Sequence, residues 1–529
     1  MQQPGRAPGD GQAGHAAGAP RAIRIDGEHL TLDEVVRVAR QGAPVALAPV
    51  AGAAIAASRA LIERILAEGT TVYGVNTGFG ELSRVSIPDD QLAPLQRNLL
   101  RSHAAGTGPA LPRDVVRAML LLRANALAKG YSGVRPVVVE RLLDLLNAGV
   151  TPQVPAQGSV GASGDLAPLA HLSLVLIGEG VATLGDDPNV LPGTEALARA
   201  GLEPLSLSAK EGLALINGTQ QMTAIGVLAL HDAEVLLESA EVAAATSLEA
   251  LRGTDTAFDA EIQAVRPQPG QARVAARLRA LLAGSEILAS HRDPKLDPRV
   301  QDPYSLRCTP QVLGASWDAL GYVRRVLEIE CNSATDNPLV FPGSGRVLSG
   351  GNFHGQPVAL ALDFLKLAVA EAGSISERRT YLMLDPARSG LPPFLAPSPG
   401  IESGFMVAQY TAAALVSENK VLAHPACVDS IPTSAGMEDH VSMGPIAARG
   451  AAQIIANVTR VVAIELLCGA QGVEQHAPLR AGRGVVEAVT RLRAVVPPLT
   501  HDRPLAPDIE QAAALIAAGE FRLADQTVS

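Results

Sequence analysis

The sequence predicts a mainly α-helical protein, with a long central helical bundle and a small α/β portion at its N-terminus. Three observations predict it. Residues of the AVILMFWYC set make up 47% of the 529 residues while aromatics make up only 3%, so the interior must be filled by Ala, Leu and Val carried on helices. Apolar residues recur at helical spacing over 52–68, 113–128, 136–147, 219–251, 310–329, 356–383, 406–422 and 446–470. Only near the start do short apolar runs suggest strands.

Taken in order, residues 1–20 are rich in Gly, Ala, Pro and Gln and contain no apolar core segment. They are expected to form a disordered extension and not a signal peptide. Ala22 to Ile25 and Pro44 to Leu47 read as short strands flanking a helix that starts at Thr31; Thr31 and Glu34 have capping-box spacing, and Gly42 supplies a stop. The helical stretches follow, and residues 21–529 are expected to form a single unit with portions at about 21–215, 216–480 (the central bundle) and 481–529. Between the helices lie loops dense in Gly, Ser, Asn, Pro and Asp, at 73–81, 157–165, 299–309, 332–354 and 431–445. These loops carry aromatic, amide and ionisable groups together on a rigid scaffold, so chemistry is sought there. Gly78-Phe79-Gly80 lacks the strand-turn-helix setting that dinucleotide binding requires, and no phosphate loop or internal repeat is evident.

Charge and cysteine usage narrow the function classes. With 53 acidic and 43 basic residues the formal net charge is −10, and no basic stripe invites nucleic acid. Cys308, Cys331, Cys427 and Cys468 lie far apart without a C-x-x-C pair, which suits reduced thiols and a cytoplasmic location better than disulfides or zinc. The charge-free stretch from Leu213 to Leu230 is interrupted by Asn217, Gly218, Thr219, Gln220 and Gln221 and does not read as a membrane span. No membrane partner is expected.

The segment Gly158-Ser159-Val160-Gly161-Ala162-Ser163-Gly164-Asp165-Leu166 admits two readings. Small residues before Asp165 make a tight turn and an N-cap. Alternatively, the unhindered amide nitrogen of Gly164 attacks the carbonyl of Ala162. Loss of two waters, one taking the Ser163 hydroxyl, then leaves a dehydroalanine-type ring whose strained backbone glycine permits. Such a ring is a neutral electrophile that no unmodified side chain offers.

This run resembles the Ala-Ser-Gly triplet from which the histidine and aromatic amino acid ammonia-lyases form their methylidene-imidazolone (MIO) group. Further motifs follow in that family's order: Tyr73-Gly74-Val75-Asn76-Thr77-Gly78-Phe79-Gly80, Asn217-Gly218-Thr219-Gln220, Gln301-Asp302-Pro303-Tyr304-Ser305-Leu306-Arg307, Gly351-Asn352-Phe353-His354 and Glu438-Asp439-His440-Val441-Ser442-Met443. The resemblance implies a fumarase/aspartase-like helical architecture and a homotetramer whose sites use loops of more than one chain. It also implies an MIO cofactor formed autocatalytically from Ala162, Ser163 and Gly164, with no metal and no nucleotide. Tyr73 matches the family's catalytic tyrosine, proposed to remove the β-proton as a phenolate. Arg307 matches the arginine that binds substrate carboxylate and offers a planar fork for it, although an ion pair with Asp302 is the structural alternative. Tyr304 shares a helical turn with Arg307, and Gln301 and Asn217 resemble the family's site amides.

Substrate choice is expected to rest on Ser102-His103 and Glu438, at positions where relatives acting on imidazole carry polar or charged residues. A carboxylate suits an imidazole N–H, whereas beside a phenyl ring it is desolvated without a partner. The expectation is therefore elimination of ammonia from histidine to give trans-urocanate. Gly355-Gln356 and Met437 depart from the histidine-directed pattern and keep open a tyrosine or phenylalanine ammonia-lyase or an MIO-dependent aminomutase. Phe353 is expected to wall the pocket, with core packing as the alternative. His354, Asp439 and His440 lack consistent ligand spacing, so no metal site is expected.

Overall fold

The computed structural model describes residues 22–78, 87–292, 295 and 299–522. The expected N-terminal extension, and Phe79 and Gly80 of the Tyr73 motif, lie outside the described residues.

The chain opens as its sequence suggests. Strand Ile23–Ile25 pairs in parallel with Val45–Leu47, in register Ile23 to Val45. Between them runs the helix Leu32–Gln41, closed by both halves of the Thr31–Glu34 capping box and ended by Gly42 at φ +67°. A parallel pair needs such a crossover.

The bundle consists of Gln220–Ala250, Thr309–Cys331, Gln356–Leu384 and Gly444–Glu474. Gly444–Glu474 packs on both Gln220–Ala250 and Gln356–Leu384. Gln220–Ala250 is buried along nearly its whole length, so it packs against neighbours on most sides rather than along one stripe. Gly444–Glu474 is long and apolar enough to cross a membrane, but its most apolar window is 72% buried within the bundle.

Periodicity did not single out the helices Leu92–His103, Leu166–Leu176, Pro269–Leu281, Arg483–Arg493 and Ala506–Ala517. Nor did it indicate the short antiparallel ladder of Val150–Pro152, Val181–Leu184 and Asp187–Pro192. One contiguous apolar core runs from Ile23 to Phe521.

Candidate active site

Three bundle helices start at the same place, and the Ala162-Ser163-Gly164 loop lies across their N-terminal ends. Met443 N donates to Val160 O at 2.9 Å, and Ser442 Oγ donates to Gly161 O at 3.1 Å. Asp165 occupies the N-cap position of Leu166–Leu176 without capping it. Its carboxylate instead accepts from Gln221 N at 2.8 Å and Met222 N at 3.0 Å, capping the bundle helix Gln220–Ala250. This corrects the local N-cap expectation: the residue after the triplet ties it to a distant helix. Burial pushes the Asp165 carboxyl up to about 7 against these donors.

The triplet itself is tightly constrained. Gly164 has φ +74° and bridges to Gly218, while Asp165 N donates to Gly218 O at 2.7 Å. A Cβ on Gly164 would lie 2.2 Å from Gly218 O, so only glycine is accommodated. Next to Gly218, the buried Asn217 donates from Nδ2 to Asn337 O at 3.0 Å. Its Oδ1 has no hydrogen-bond partner among the described residues. A buried acceptor without a partner beside a positive-φ glycine loop would suit an MIO ring formed there, so the residues present fit that group.

Other expected residues converge on this end. Ser163 Oγ donates to Glu438 Oε1 at 2.7 Å, and Thr433 Oγ1 donates to Glu438 Oε2 at 2.7 Å. The carboxylate is thus held by two hydroxyls in a half-buried setting. His103 ends its helix with Nδ1 2.9 Å from Leu99 O. Burial lowers its pKa, opposed by that carbonyl and by the charge of Glu438. The turn after Tyr73 packs beside Asn217: a Cβ on Gly74, at φ +73°, would strike Leu213, whose carbonyl accepts from Asn217 N, and Pro338, which follows the Asn337 whose carbonyl accepts from Asn217 Nδ2. Phe353 is half-buried, two residues before Gly355, which abuts Met222 and Ser442. His354 stacks on His440 with centroids 5.9 Å apart, and no group of three or more His, Cys, Asp or Glu forms a metal-holding cluster among the described residues.

Gln301, Tyr304 and Arg307 are not there. The short helix Tyr304–Arg307 sits at the other end of the bundle, where Ser305 O accepts from Arg379 Nη1 at 3.3 Å. Arg379 pairs with Glu465, and Glu465 accepts from Ser247 Oγ at 2.7 Å. Residues 247, 379 and 465 lie far along helices whose N-terminal ends carry the Ser163 loop. At 1.5 Å per residue the two groups are roughly 30 to 40 Å apart within one chain. Tyr304 is 70% exposed, and the Arg307 guanidinium lies 4.5 Å over its ring. The alternative partner of Arg307 is occupied elsewhere: Asp302 accepts from Thr254 N and lies 3.7 Å from Arg299.

Two contributors escaped sequence reading. Thr433 gave no signal apart from lying in a polar loop. Arg123 did give one: it is a charged residue inside the helix Arg113–Ala128, which is buried without a break from Val115 onward.

The family model of the aromatic amino acid lyases matches residues 30–494. The chain belongs to the aromatic amino acid lyase family. Among members of that family, histidine ammonia-lyase of Anaeromyxobacter sp. (strain K) is 58% identical over 506 residues, covering 95% of this chain and 99% of the relative. The crystal structure of histidine ammonia-lyase from Trypanosoma cruzi superposes with a TM-score of 0.88 at 45% identity, covering 95% of this chain and 94% of that one. Tyrosine aminomutase from Streptomyces globisporus superposes with a TM-score of 0.91 at 40% identity, covering 96% and 100%. The helical bundle is therefore the architecture of this lyase family.

Proposed function

We propose that this chain removes ammonia from L-histidine without oxidation, giving trans-urocanate in the first step of histidine degradation. The observation that carries the reading is the Glu438 carboxylate, 2.7 Å from Ser163 Oγ and close enough to His103 for its charge to act there. An acid at the reacting end suits an imidazole N–H and disfavours an uncharged ring. Relatives named histidine ammonia-lyase at 58% identity support the same substrate.

In this reading Ala162, Ser163 and Gly164 condense to MIO with loss of two waters, and no metal or nucleotide takes part. The group supplies an electrophile that takes up the substrate amine and makes it a leaving group. Tyr73 accepts a proton from the substrate β-carbon; the released electron pair becomes the new double bond as the Cα–N bond breaks. Asn217 Oδ1, without a hydrogen-bond partner among the described residues, orients the amine. Arg307 grips the carboxylate with its planar fork, flanked by Tyr304 and Gln301, and Phe353 walls the ring.

Because Ser163 and Arg307 are held at opposite ends of the bundle, each site takes its carboxylate grip from another copy. We assign a homotetramer with shared sites, formed by residues 21–529 as one unit and acting in the cytoplasm. The exposed apolar stripe Leu360, Phe364, Leu367 and Tyr381 on the helix Gln356–Leu384 gives copies a surface to bury.

Gly355, Gln356 and Met437 favour a second reading, a tyrosine or phenylalanine ammonia-lyase or an aminomutase. The test is absorbance in the urocanate band with L-histidine, beside parallel assays with L-tyrosine and L-phenylalanine for arylacrylates and β-amino acids. A rise with histidine alone is expected. Turnover of tyrosine or phenylalanine alone overturns the substrate assignment.

A further inference from the structure

Arg123 is buried at 0% exposure and belongs to no step of the proposed chemistry. Its Nη1 reaches three oxygens at once: Asn217 O at 3.0 Å, Gln220 Oε1 at 2.9 Å and Thr335 O at 3.1 Å. Asn217 O belongs to the Asn217-Gly218 linker itself, and Gln220 follows that linker in sequence. Gln220 is fixed in turn, donating to Thr335 Oγ1 at 2.8 Å. The approach is so close that a Cβ on Gly218 would lie 2.2 Å from Arg123 Nη1. The same linker receives the triplet, since Gly218 O accepts from Asp165 N at 2.7 Å.

A guanidinium deep in an apolar helix is an unusual choice for packing alone. Among the described residues Nε and Nη2 have no hydrogen-bond partner and the group has no salt bridge to a carboxylate. The opposite charge that acts on it, Asp336, is committed to Lys210 Nζ at 2.7 Å. Burial accordingly lowers the guanidinium to about 10. A charged donor kept where two of its nitrogens go unused is held there for the oxygens it does reach.

We infer that Arg123 is a positioning residue for the MIO centre: by clamping the Asn217-Gly218 backbone, it fixes the surface on which Gly164 and Asp165 seat and aims the Asn217 amide at the reacting amine. The inference rests on the proposed MIO chemistry. It extends that chemistry to a residue that touches neither substrate nor the ring.

The test compares the parent enzyme with Arg123→Lys and Arg123→Met. Intact mass reads ring formation as the loss of two waters, and kcat, KM for L-histidine and the thermal midpoint are measured on the same samples. Arg123→Lys keeps the buried charge but loses the fork. It is expected to assemble with a near-parental thermal midpoint, to complete less of the dehydration, and to lose about 100-fold in kcat per formed ring while KM stays within about threefold, as for a misplaced but intact reacting group. Arg123→Met should show a larger loss of the same kind. If it does not assemble, Arg123→Lys decides alone.

Full dehydration with parental kcat in Arg123→Lys overturns the inference, as does a fall in kcat matched by a rise in KM and a lowered thermal midpoint, which marks a merely structural role. A parent chain that never loses the two waters overturns the MIO reading itself, a result that the mass of the parent separates from any effect of the variants.

Discussion

At the Ser163 end of the bundle every group of interest is braced by its own chain: Asp165 caps a bundle helix, Glu438 is held by two hydroxyls, and Asn217 is pinned by its backbone and by one side of its amide. At the Arg307 end the short helix is anchored underneath by Arg379 and Glu465, yet Tyr304 faces outward and Gln301 is exposed. The difference teaches that, in the proposed reading, bond-breaking chemistry and substrate grip are separable: the first would be built inside one chain, and the second would be presented to another.

The hardest test of that contrast removes the chemistry alone. Ser163→Ala should leave a folded protein with an undiminished thermal midpoint, no loss of two waters by mass, and turnover reduced by at least about 1000-fold, as expected when a covalent catalyst is deleted. Substantial residual activity would remove the MIO assignment. Arg307→Ala should do the opposite, completing the dehydration normally while kcat/KM falls by about 100-fold or more for want of the bidentate grip. Mixing Ser163→Ala with Arg307→Ala under conditions of subunit exchange should then restore activity, because hybrid assemblies contain sites with both groups intact. Two inactive proteins that stay inactive after exchange would show that each site lies within one chain, against the 30 to 40 Å separation.

A smaller effect is expected where substrate choice is made. Glu438→Gln should lower kcat/KM for histidine relative to phenylalanine by about 10- to 200-fold, the range for one polar pocket contact. An unchanged ratio in a competition assay would move specificity to Gln356 and Met437. The smallest effect lies away from both ends. Glu249 is buried, accepts from Gly482 N, and is raised by burial from 4.5 to about 7. Its protonated form is favoured in the folded state, so this group's contribution to stability falls as pH rises from about 4.5 to 7 and levels off above. Glu249→Gln cannot titrate, so its stability relative to the parent should rise across that window by up to about 3 kcal/mol. Parallel denaturation curves at pH 5 and pH 8 would check the sign.

Much of this was legible in the sequence because the long helices are continuous in apolar spacing and their loops carry the chemistry. The helix boundaries at 113–128 and 406–422 coincide with those observed, and the Thr31 box and Gly42 stop are local devices that need no tertiary context. The strands Val150–Pro152 and Pro155–Gln157 were missed because they contain prolines and have too few residues for alternation to register. The role of Asp165 was misjudged because a capping residue is read against the helix that follows it, and here the capped helix starts more than fifty residues later. The motifs named Gln301, Tyr304 and Arg307 without their location, since spacing along a chain does not say at which end of a bundle a loop emerges.

The length of the bundle has a consequence for behaviour on dilution. A chain alone keeps its electrophile-forming loop but has no carboxylate grip within reach, so in the proposed reading rate per chain depends on how much protein is present. Such an enzyme is silent while newly made copies are scarce and becomes active only as they find one another.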